Sequence, residues 1–127
     1  DTDLTDDDIA NRNLILFGDP GSNSVLARII DKLPITWTRD GLTVNGQTYD
    51  PASHGVALIY PNPLNPARYV VINSGMTTHA ADFKASNAWL FPKLGDIAVQ
   101  KFDRTADGYA ETTVWAGLFD SRWKLSE

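Results

Sequence analysis

The spacing of apolar positions changes several times along the 127 residues, and each change marks an element. "NLILFG", Asn13 to Gly18, is an unbroken apolar run of strand length. That is the pattern of a strand buried on both faces. Asp19-Pro20-Gly21 then reads as a turn, and Ser22 or Asn23 as the cap of a helix. In "SVLARIIDKL" the residues Val25, Leu26, Ile29, Ile30 and Leu33 fall on one helical face, and Pro34 ends the run. Upstream, "LTDDDIANRN" predicts a short helical turn. Thr5 is its N-cap, and Asp6, Asp7 and Asp8 lie in the first turn, where carboxylates favour the positive helix end.

The period shortens in "ITWTRDGLTVNGQTYD". Asp40-Gly41 and Asn45-Gly46 are hairpin signals between short alternating strands, so a small β-meander is expected there. "GVALIYPNP" and "RYVVINSG" carry two more strands, Val56–Tyr60 and Tyr69–Asn73. The short link between them contains Pro61, Pro63 and Pro66, so no helix forms in it. The two strands are either antiparallel neighbours or joined by an unusual extended connection. "THAADFKASNAWLF" predicts a helix over 78–90, capped by Thr77 or Thr78 and stopped by Pro92. "DIAVQKF" and "ETTVWAGLFD" are the last strands, with "DRTADG" as the turn between them.

This alternation predicts an α/β fold: a single mixed, mainly parallel sheet with flanking helices, flavodoxin-like or Rossmann-like, with an inserted β-meander. Leu14–Phe17, Val56–Tyr60, Tyr69–Asn73 and Ile97–Lys101 are the expected central strands. Helices around 23–33 and 78–90 are expected to cover the sheet. The expected core is Leu16, Leu26, Ile29, Ile30, Leu58, Val70, Ile72, Val99 and Trp115.

Length and composition narrow the function. The chain fits one α/β domain, residues 1–127. A net charge of −5 and a pI near 4.8 speak against nucleic acid or an anionic membrane as partner. With no cysteine there is no disulfide, thiolate metal site or cysteine nucleophile. No apolar run is long enough to span a membrane. The opening "DTDLTDDDIANRN" has no Met, basic n-region or apolar h-region, and reads as a piece of a longer polypeptide or a mature form.

"GDPGSN" shares the strand–turn–helix layout of phosphate loops. Yet it has no Lys, Pro20 lacks an N–H, and Asp19 brings a negative charge. A tight turn with a capped helix accounts for every residue. Ser74 follows "VIN", not the glycine of a nucleophile elbow, and His54 and His79 have no metal-ligand spacing. No complete catalytic set can be read from the chain, and no cofactor or metal is expected. Asp19, Asp82 and Asp96 are best read as solvated surface acids, since nothing puts two of them at glycosidase spacing. The acidic triplet lacks the alternating Asp and Gly of a calcium loop.

In α/β sheets ligands gather at strand carboxyl ends. The candidate binding residues there are Asp19, Ser22, Asn23, Asn62, Asn65, Ser74 and His79. Their amides and hydroxyls suit a small polar ligand, such as a carbohydrate. The competing reading is that Asn, Gly and Pro simply form turns. Trp37 and Trp123 with Leu125, outside the expected core, are candidates for a partner surface, or else fold back on the domain.

"NLILFGDPGSNSVLARIIDKLPI", "YPNPLNPARYVVINSG" and "LGDIAV" resemble the C-terminal α/β module of large exported bacterial hydrolases of the prolyl-oligopeptidase or esterase kind. The resemblance covers roughly residues 2 to 123, and "YPNPLNPARYVVINSG" is its most specific part. It implies that a catalytic serine lies in another domain of the parent chain and carries over no catalytic residue here. It further implies an accessory role, packing on that catalytic domain or aiding substrate positioning, and a secreted or periplasmic location.

Overall fold

The computed structural model describes residues 2–74, 95–106 and 108–126. Helix α1 (Asp6–Asn11) begins where Thr5 and Asp8 cap each other. Thr5 Oγ1 accepts from the Asp8 N–H at 3.1 Å, and the Asp8 carboxylate accepts from the Thr5 N–H. Strand β1 (Leu14–Phe17) leads through a turn into α2 (Ser24–Ile29). The Asn23 carbonyl oxygen of the side chain accepts from the N–H groups of Val25 and Leu26, while its amide donates to Phe17 O at 3.0 Å. One side chain thereby ties the helix start to the end of β1. A 3-10 turn, Ile30–Lys32, tightens the helix end.

Strands β2 (Ile35–Trp37), β3 (Leu42–Val44) and β4 (Gln47–Tyr49) form a three-stranded antiparallel sheet. Asn45 and Gly46 join β3 to β4 with φ of 49° and 77°. Both are left-handed, as a two-residue I′ hairpin turn requires, and Asn-Gly is the pair that adopts them most cheaply. Four longer strands follow: β5 (His54–Asn62), β6 (Asn65–Asn73), β7 (Ile97–Thr105) and β8 (Gly108–Gly117). With β1 they form a five-stranded sheet in the order β1-β6-β5-β7-β8. Only β1 and β6 pair in parallel, with Leu16 opposite Ile72; the other three pairings are antiparallel.

Register sorts the large sheet into two faces. On the first, Leu14, Leu16, Val56, Leu58, Val70, Ile72, Ile97 and Val99 are buried. They join Ile9, Val25, Leu26, Ile29, Leu42 and Val44 in one apolar cluster, so both helices and the small sheet pack on this face. On the second face Ala57 and Ala98 are buried, Ile59 and Val71 half-buried, and Ile15 and Phe17 each 64% exposed.

The helix-flanked, mainly parallel α/β fold of flavodoxin-like or Rossmann-like layout is therefore wrong. The described residues are 50% strand and 15% helix, with two short helices. The expectation failed for two physical reasons. Pro61 and Pro66 do not end the strands around them: β5 and β6 run through them and close as an antiparallel hairpin, with a bulge at Pro61/Asn62. The apolar run of β1 marks an edge strand with an apolar exposed side, not a central strand buried twice. The predicted helix over 78–90 lies outside the described residues. The expected core is buried apart from Ile30 and Trp115, which are half-buried against it. Trp37, proposed for a partner surface, is buried in the core instead. Trp123 folds back, its ring 5.8 Å from Tyr60, 5.7 Å from Tyr69 and 5.9 Å from Phe119, and Leu125 packs on the core.

Candidate functional site

The six described candidate residues do not converge on one end of the sheet. Asp19, Ser22 and Asn23 follow β1, and Ser74 follows β6, which runs parallel to β1, so these four share one end of the sheet. Because β5 is antiparallel to β6, Asn62 and Asn65 sit at the opposite end, around the β5–β6 turn. His79 lies outside the described residues.

Each described candidate already has a structural duty. Asp19 Oδ1 accepts from the N–H groups of Gly21 and Ser22 at 2.8 and 2.9 Å, and Ser22 Oγ accepts from the Asp19 N–H. An anion at this turn would need those same N–H groups, so the loop's own carboxylate occupies the place of a phosphate. Gly18 precedes the turn at φ 88°, and a Cβ there would lie 2.5 Å from Ser22 Oγ. Asn23 is spent on the α2 cap. Ser74 Oγ donates to Val56 O and accepts from the Val56 N–H, holding β6 to β5 past its last paired residue. Asn62 is fully buried, and it donates to Ile9 O at 2.7 Å while accepting from Leu64 N–H. Asn65 accepts from the Ala67 N–H. The other histidine, His54, holds Nδ1 2.9 Å from Asp50 O.

Among the described residues, the two carboxylates with a shifted proton affinity are also structural. Asp120 is lowered from the ordinary aspartate value because it accepts backbone N–H bonds from Lys124 and Arg122. Asp8 is lowered by its bonds to Thr5 and by Arg12. Asp96 accepts from the Phe119 N–H at 2.9 Å, and Asp82 lies outside the described residues. Among the described residues no three His, Asp or Glu gather where they could hold a metal ion. No helix among them is long and apolar enough to cross a membrane.

Two clefts remain. One, of about 450 Å³, opens between the β1–α2 turn, the loop after β2 and the loop after β4. Asp19, Trp37, Thr38 and Arg39 line it, with Pro51 and Ala52 opposite. Of the described site candidates only Asp19 reaches it. The sequence does not single out Arg39 and assigns Trp37 to a partner surface, because both flank a hairpin signal and nothing in the local sequence says which loop folds over which. The second cleft, about 360 Å³, lies on the second face of the large sheet among Ile15, Ala57, Ile59 and Val71, with Gly95 and Asp96 at its rim. No protein-family model matches the chain, and no curated protein or solved structure matches it either.

Proposed function

We propose that this chain is a non-catalytic accessory domain of a larger exported hydrolase of the peptidase or esterase kind. It packs on the catalytic domain of the same parent chain or helps position its substrate. The observation that carries this reading is a contrast in how side chains are used. The described candidate polar groups are committed to turns, caps and strand ends, whereas Ile15 and Phe17 stand 64% exposed on an edge strand. Burying a large apolar side chain contributes about 1.5–3 kcal/mol, so such a pair favours a covering partner. The resemblance of "YPNPLNPARYVVINSG" to the module of exported hydrolases supports the choice of partner and a secreted or periplasmic location.

The test is a screen of the purified 127-residue chain against ester, peptide and glycoside reporters. No turnover above the buffer rate is expected. Turnover that Ser74→Ala or His79→Ala abolishes would replace this reading with an enzyme.

A further inference from the structure

We propose that the open edge of β1 is a strand-addition site: an extended segment of the neighbouring domain in the parent chain pairs there and continues the large sheet. β1 ends that sheet and pairs only with β6 among the described residues. Successive residues of a strand turn their main-chain groups to opposite edges. Gly18 donates to Asn73 O of β6, so Leu14 and Leu16 face β6 as well, and Ile15 and Phe17 face outward. The Phe17 carbonyl fits that direction, since it accepts from the Asn23 amide. Ile15 N–H, Ile15 C=O and Phe17 N–H remain without a partner among the described residues. The side chains of the same two residues stand 64% exposed beside them.

The edge lacks the devices that keep strands from pairing. Leu14–Phe17 holds no charged residue and no proline, and its ladder with β6 has no bulge. The opposite edge strand, β8, carries Glu111 and a bulge in its pairing with β7. The unpaired groups fix the chemistry of the occupant. N–H donors and a carbonyl on alternate residues match the main chain of an extended strand, and Ile15 and Phe17 favour apolar residues opposite them. The size of the edge fixes the source. The strand spans about 13 Å, so an added strand buries far less than the about 1,200 Å² of a stable free-standing complex. A segment of the same chain needs no such area, because its tether holds it at a millimolar effective concentration. Self-pairing of two copies about Leu16 would also call on Phe17 O, which the Asn23 amide already engages. The source of the strand rests on the accessory reading, which the experiment tests separately.

The experiment follows amide hydrogen exchange at Leu14, Ile15, Leu16 and Phe17 in the 127-residue chain and in the product of the complete reading frame that encodes it. Ile15 and Phe17 are expected to exchange freely in the isolated chain and about tenfold more slowly in the longer protein, the worth of one backbone hydrogen bond. Leu14 and Leu16, which face β6, should be protected in both. In the longer protein Ile15→Pro removes one outward donor and keeps the bonds to β6, so Phe17 should return to near its free rate. Loss of Leu16 protection would show that this variant disturbs β1, and the comparison of the two unsubstituted proteins then decides. Unchanged exchange at Ile15 and Phe17, while their side chains lose radical labelling, would overturn strand addition and leave a domain packed on the face. Unchanged exchange with unchanged labelling would overturn the accessory reading as well. Protection that grows in the isolated chain as its concentration rises would assign the edge to a second copy and overturn the proposal.

Discussion

Asn62 and Asn65 stand three residues apart, and both read from sequence as ligand-binding amides. Asn62 is instead a buried strut with no exposed surface, joining the β5–β6 turn to the last turn of α1 through Ile9 O. Asn65 shapes the start of β6 from a half-buried position. Sequence cannot separate these uses from ligand binding, because all three need the same donor and acceptor. Replacing Asn62 by Ala strips the buried Ile9 carbonyl of its donor and Leu64 N–H of its acceptor. A loss of about 2–3 kcal/mol is expected. Urea unfolding should show it as a lower midpoint at unchanged slope. A loss under about 0.5 kcal/mol, the range of ordinary surface changes, would remove Asn62 from the structural account.

The segment after β8 forms a closed turn, with Phe119 bridged to Leu125 and Trp123 at φ 59° between them. Asp120 organises it: its carboxylate accepts from Arg122 and Lys124 N–H, and its own N–H donates to Lys124 O at 2.7 Å. Those bonds favour the charged form, so the folded carboxyl titrates lower than it would in the unfolded chain. The stabilisation is therefore complete above the unfolded value and is lost as pH falls through the lowered folded one. The Trp123 indole signal should hold steady at neutral pH and move in acid, with a midpoint below that of an unperturbed aspartate. Asp120→Asn keeps an acceptor but cannot ionise, so its indole signal should lack that acid step. The same step in the variant would assign it to another group.

Legibility also differs by element. Thr5 signalled its helix start through capping chemistry, Ser22 and Asn23 narrowed the second start to adjacent positions, of which Asn23 is the cap, and Asn45-Gly46 signalled its turn through backbone conformation, because each of these is decided within a few residues. The pairing of β5 with β6 depended on whether Pro61 and Pro66 would be tolerated, and the edge position of β1 on strands more than fifty residues away. Such long-range choices leave no local mark. The Asp19–Trp37–Arg39 cleft was illegible for the same reason, since folding rather than spacing brings its loops together.

Over the whole molecule, apolar burial is unevenly shared. The first face of the large sheet is closed by α1, α2 and the small sheet, and nearly every apolar residue on it is buried. Toward β1 the second face opens, from buried Ala57 and Ala98, through half-buried Ile59 and Val71, to exposed Ile15 and Phe17. A neighbour seated there would bury area of the kind found between domains, about 600–1,500 Å². Hydroxyl-radical footprinting of Phe17 and Ile15 tests this most directly. It compares the 127-residue chain with the product of the complete reading frame that encodes it. The account predicts strong labelling of both residues in the isolated chain and a several-fold drop in the longer protein. Equal labelling in the two, or a complete reading frame with no hydrolase domain, would contradict it.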